Sequence, residues 1–173
     1  MGISGRLLFA AAVSALASTA ASAAANFDEL FAGFDHACKS PPAFEAFWNS
    51  VIEKYGEDGK PSHRLLLPAP LAASVGPATA KDMGGYIDVR MAVDGTFRGL
   101  RLSKVVFALG KGNGISLWRL EFAEPPRRVR SVLGAAVARG KKQMAAEDDA
   151  GIGITTGLDF ENGTSAVYCD FSS

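Results

Sequence analysis

The chain has 173 residues, 48% of them hydrophobic, and its 18 basic and 18 acidic side chains cancel to a net charge of zero. That length and apolar content suffice to close a core, so disorder is not expected. A neutral chain lacks the positive surplus with which general nucleic-acid binders neutralise phosphate, and removing the first 24 residues takes away Arg6 and no acid, leaving a charge of −1.

Residues 1–23 have the pattern of a secretory signal peptide. Arg6 supplies the positive start, Leu7 to Ala17 the short apolar segment, and Ala21-Ser22-Ala23 a small-residue cleavage site, with cleavage expected after Ala23 or Ala25. The apolar run is short and rich in alanine, unlike a membrane-spanning helix, and no later segment approaches the roughly 18 consecutive apolar residues that a span needs. Residues 24–173 are therefore expected to form one exported domain, periplasmic or secreted, with no stable membrane insertion after cleavage.

Asn26-x-x-Glu29 has the spacing of a helix capping box, and Phe27, Leu30, Phe31, Phe34 and Cys38 follow at helical intervals. A first helix is expected to end at Ser40-Pro41-Pro42, where a second begins. Its apolar stripe is Phe44, Phe47, Trp48, Val51 and Tyr55, with Gly56 behind it. Residues 57–83 are punctuated by Gly59, Pro61, Pro68, Pro70, Gly76 and Pro77, and are expected to pack along the surface or to line a groove.

From Met83 to Phe122 the period changes to two. Ile87, Val89, Met91 and Val93 alternate with polar neighbours, and Asp94-Gly95 then predicts a hairpin turn. The second strand presents Leu100 and Leu102, then Val105, Phe107 and Leu109, and the change of phase predicts a β-bulge at Ser103-Lys104. After a glycine-rich turn, Ser116, Trp118, Leu120 and Phe122 form a third strand that Pro125-Pro126 ends. Val129, Val132, Leu133, Ala136 and Val137 predict a third helix closed by Gly140. The alternating runs 152–160 and 165–171 predict a final hairpin about Asn162-Gly163, with Leu158 opposite Val167 and Thr156 opposite Cys169. The expected fold is α+β, a mainly antiparallel five-stranded sheet in the order α-α-β-β-β-α-β-β, with helices packed on one face.

Cys38 and Cys169 are the two cysteines, each on the apolar side of its element. In an oxidising compartment they predict a structural disulfide, which the chain-entropy model values at roughly 4–5 kcal/mol for so long a loop. Neither His36 nor His63 stands in a metal-binding spacing, no Gly-x-Ser-x-Gly elbow is present, and the sequence nominates no catalytic residue, metal or cofactor. Glu147-Asp148-Asp149 lacks the spacing of a calcium loop and fits a solvated acidic loop.

Two stretches are candidates for a partner or an anion. Lys111 and Asn113 sit in Gly110-Lys111-Gly112-Asn113-Gly114, which joins two strands and lacks the phosphate-loop ending, so it is a turn with a bare tip. Arg127, Arg128 and Arg130 open the third helix, where they oppose its dipole; they either pair with Glu121 and Glu124 or hold an anion. These features point first to a non-enzymatic exported protein that binds a protein partner in the cell envelope, as an inhibitor or immunity protein of a hydrolase or toxin. A second expectation is a small-ligand or lipid-binding module with a cavity lined by Phe44, Trp48 and Trp118. The third is an enzyme whose cleft gathers His63, Asp82, Asp88 or Arg90.

Overall fold

The computed structural model describes residues 24–147 and 153–172; the expected signal peptide, Asp148, Asp149 and Ile152 lie outside the described residues. In chain order the elements are β1 (Ala25–Asn26), α1 (Pro42–Tyr55), α2 (Ala69–Ala72), β2 (Val75–Asp82), β3 (Tyr86–Phe97), β4 (Leu100–Gly110), β5 (Ser116–Phe122), α3 (Pro126–Glu147), β6 (Thr155–Asp159) and β7 (Ser165–Asp170).

The fold is α+β, but the sheet has seven strands where five were expected. Its order is β1-β3-β4-β5-β7-β6, and β2 also pairs with β3. The sheet is mixed, because β1 runs parallel to β3 while the remaining pairs are antiparallel. β1 and β2 share one edge of β3 end to end, at Gly95-Thr96 and at Ile87–Val93 respectively. Both escape sequence patterning for physical reasons. Two residues carry no period, and β2 contains Gly76 and Pro77, tolerated at a sheet edge where the pairing register shifts between Val75 and Ala78.

The first expected helix does not form. Residues 28–38 make successive turns, with Gly33 at φ 126°, Ala37 at 55° and Cys38 at 57°. Phe27, Leu30, Phe31, Phe34 and Cys38 are nevertheless all buried, so their spacing marked a core face on a backbone of another shape. Tertiary bonds take the place of helical ones. The Phe27 N–H donates to the Thr96 carbonyl at 2.8 Å, and the Arg98 N–H donates to Asp28 Oδ1.

The β3–β4 turn also moves. It lies at Arg98-Gly99, with φ of 50° and 71°, and not at Asp94-Gly95. Gly95 serves a different need, because a Cβ there would stand 2.5 Å from the Phe27 ring and 2.6 Å from the Ala25 carbonyl. The bulge expected at Ser103 is present in the β4–β5 ladder, where Leu102 faces Phe122 and Lys104 faces Glu121. β3 carries a compensating extra residue between Ala92 and Gly95. α3 runs past Gly140 to Glu147, since Gly140 is the point at which the helix meets the Phe34 carbonyl. The final hairpin keeps its expected register, with Thr156 opposite Cys169 and Leu158 opposite Val167.

One parity of each strand faces the helices. Val89, Met91, Val105, Phe107, Trp118, Leu120 and Val167 join Phe44 and Phe47 of α1 and Val129 and Leu133 of α3 in a single apolar cluster. Cys38 and Cys169 are bonded across it, with Cα atoms 6.0 Å apart and 131 residues between them in sequence. Among the described residues no helix is long and apolar enough to cross a membrane.

Candidate functional site

α1 begins with proline at its first position, and its N-terminal half carries two rows of side chains one turn apart. Phe44 and Trp48 form one row, with ring centroids 6.3 Å apart; Glu45 and Asn49 form the other on the exposed side. The helix is held from behind by Ser50. Its buried hydroxyl donates to the Phe47 carbonyl at 2.7 Å and accepts the Leu66 N–H at 2.9 Å, which fastens the proline-rich connection along α1 as expected.

Opposite this helix stands the start of β5. Ser116 and Trp118 share a face of the strand, and the Trp118 ring lies 5.0 Å from Phe44 and 6.4 Å from Phe31. Beyond β7 the chain stays beside β5. The Phe171 N–H donates to the Ser116 carbonyl at 2.7 Å, and the Ser116 N–H donates to Ser172 Oγ at 3.2 Å. Phe171 thereby becomes a third wall. Between these walls and Ser40 lies a cleft of about 380 Å³. Trp118 is 1% exposed, and its indole N–H has no acceptor among the described residues. A buried donor left in this way costs about 1–3 kcal/mol.

The disulfide stands close in sequence to both flanks of the cleft. Cys38 lies two residues before Ser40 and Cys169 two residues before Phe171, so one bond anchors both flanking segments. The expected cavity lined by Phe44, Trp48 and Trp118 is present. Its other contributors escape a sequence scan, because Ser116 and Phe171 meet α1 only through the β5–β7 ladder.

The expected partner residues lie elsewhere. The glycine-rich turn is braced against the β2–β3 turn. Lys111 Nζ meets Asp82 Oδ2 at 2.5 Å, and Asn113 Nδ2 donates to the Gly85 carbonyl at 2.8 Å. The Lys111 ammonium and the Gly84 N–H hold the Asp82 carboxyl below its ordinary value. Arg127, Arg128 and Arg130 are exposed at the opposite end of β5, roughly 20 Å away at strand rise, so tip and arginines cannot form one patch. The expected pairing of the arginines with Glu121 and Glu124 is not found. Glu121 is held by Lys104 at 3.3 Å and Arg119 at 3.0 Å, Glu124 accepts the Arg101 N–H at 2.9 Å, and Arg130 stands 4.9 Å over the Phe160 ring.

The outer sheet face carries a ladder of ion pairs. Asp88 meets Arg90 at 2.8 Å, and Arg119 joins Glu121 to Asp159, the latter at 3.1 Å. Asp88 and Arg90 border a concavity of about 460 Å³ there with Tyr86, Lys104 and Arg119. Of the four candidates for an enzyme cleft, Asp88 and Arg90 share this concavity, while Asp82 is paired with Lys111 and His63 with Glu53 at 3.1 Å elsewhere. Among the described residues no group of three or more His, Cys, Asp or Glu is placed to hold a metal ion. Comparison of the chain with protein-family models, curated proteins and solved structures gave no match.

Proposed function

We propose that this chain is an exported, non-enzymatic binding protein, periplasmic or secreted, that holds a small molecule in the cleft between α1 and β5. The cleft itself carries the proposal. At about 380 Å³ it lies in the range of ligand sites, about 300–1,000 Å³, and it joins aromatic walls to a few polar groups, as such sites do. Export is supported by the N-terminal pattern and by a disulfide of the kind that persists in oxidising compartments. Saturation-transfer NMR with a fragment library tests the cleft, using the oxidised protein and a Ser116→Phe variant whose fold is checked by circular dichroism. Hits that weaken by about tenfold or more in the variant are expected. No hits at millimolar fragment, or hits indifferent to the substitution, would remove the proposal.

A protein partner, as for an inhibitor or immunity protein, has separate support in the outer sheet face, where the charge ladder has no helix over it. Arg90 and Lys104 are half exposed there but lie against the nearly buried Asp88 and Glu121, so a charge-reversed variant is first checked for its fold by circular dichroism. A partner captured from envelope extract by the parent and lost by the Arg90→Glu, Lys104→Glu variant would favour this second reading; capture by both would count against it.

A further inference from the structure

We propose that the cleft selects a small organic cation, a quaternary or alkylated ammonium group, and this rests on the ligand-binding reading of the same cleft. Every apolar side chain lining it is aromatic: Trp48 and Phe171 are partly exposed, and Phe44 and Trp118 are 2% and 1% exposed, so the first two rings offer most of the open surface. A cleft meant only to exclude water could be walled by leucine or valine. Aromatic faces carry negative potential, and an ammonium group over them is attracted, more strongly once it leaves water.

The charges around the cleft agree in sign. Glu45 supplies a carboxylate at the rim, and among the described residues no lysine, arginine or histidine lines the site. Lys39, next to Ser40, is paired with Glu147 at 2.9 Å. The start of α1, which would ordinarily favour an anion, has few free donors beyond the Ala43 N–H. Pro41 and Pro42 have no N–H, and the Phe44 and Glu45 N–H groups both donate to the Pro41 carbonyl, at 2.9 and 3.0 Å. An anion would find polar partners in Ser40, Asn49 and Ser116 but would face a carboxylate and the aromatic rings, whereas a cation meets both of these favourably.

The two tryptophans of the chain both line the cleft, so intrinsic fluorescence reports its occupancy. The oxidised protein is titrated with choline and with 3,3-dimethylbutan-1-ol, which replaces the charged nitrogen by carbon at nearly constant shape. Choline is expected to bind tighter by at least about tenfold. Glu45→Gln should weaken choline by up to about fivefold and leave the alcohol unchanged. Trp48→Leu keeps an apolar wall without the ring and should erase the preference. Equal binding of the two, or tighter binding of 3,3-dimethylbutanoate than of choline, overturns the cation assignment and leaves the ligand-binding reading standing. If none of the three binds at millimolar concentration while fragments do, the assignment also falls. If fragments fail as well, both fall together.

Discussion

Gly140 lies inside α3, where helix propensity alone favours alanine by about 1 kcal/mol. A Cβ at this position would be driven into the Phe34 carbonyl, a backbone atom that cannot swing aside. Gly140→Ala is therefore expected to destabilise the protein by about 1–3 kcal/mol in urea unfolding, in spite of the better helix former; a stabilised variant would refute that contact. Gly140 and Gly95 were both legible as glycines with a purpose, but local rules assigned the wrong one. A helix stop and a hairpin turn are sequence-near explanations, while the actual constraints come from Phe34 and Phe27, distant in sequence. Asp82 gives a prediction in pH. Its folded carboxyl is held low by Lys111 and Gly84, so the folded chain binds that proton more weakly than the unfolded chain does. The ion pair's contribution is complete above the ordinary carboxylate value and disappears as pH falls through the depressed folded one. In the Lys111→Ala variant the Asp82 midpoint, followed by the Gly84 amide shift, should rise toward the ordinary carboxylate range; an unmoved midpoint would show that Lys111 does not set it.

Elements with a sustained period were the legible ones. α1, β5 and the β6–β7 hairpin stand where alternation or helical spacing put them, β3 and β4 do so apart from the turn that joins them, and even the Ser103 bulge followed from a change of phase. Residues 28–38 were not legible as backbone, because their apolar spacing satisfies a helix while bonds to Thr96 and Arg98 hold them in turns. The cleft was half legible. A stripe containing Phe44 and Trp48 announces an aromatic helix face, but Phe171 reaches it only through strand pairing. At this scale the disulfide joins fold to site. Closing 131 residues, it is expected to contribute about 5 kcal/mol by the chain-entropy model, so Cys38→Ala, Cys169→Ala should lose about 3–5 kcal/mol of stability in denaturant unfolding. Where that variant remains folded, its affinity for cleft ligands should also fall, because Ser40 and Phe171 are released together. Unchanged stability and unchanged affinity would separate the bond from both roles.

The whole molecule presents two unlike faces of one sheet. The inner face is filled by α1, α3 and the turns of 28–38, which leave the α1–β5 cleft at the margin of the core. The outer face is written in charge, with Glu121 and Asp88 almost covered by the cations that neutralise them. Sequence periodicity foretold which residues point each way, but it could not place β1 and β2 on a common edge, since partners in a sheet are chosen by tertiary fit. A small ligand in the cleft and a partner on the outer face therefore act on separate surfaces, and one experiment distinguishes them. In a ¹H–¹⁵N spectrum of the oxidised protein titrated with choline, the two indole N–H signals of Trp48 and Trp118 are predicted to shift saturably while the amides of Arg90, Lys104 and Arg119 stay in place; stationary indole signals with moving outer-face amides would contradict the account.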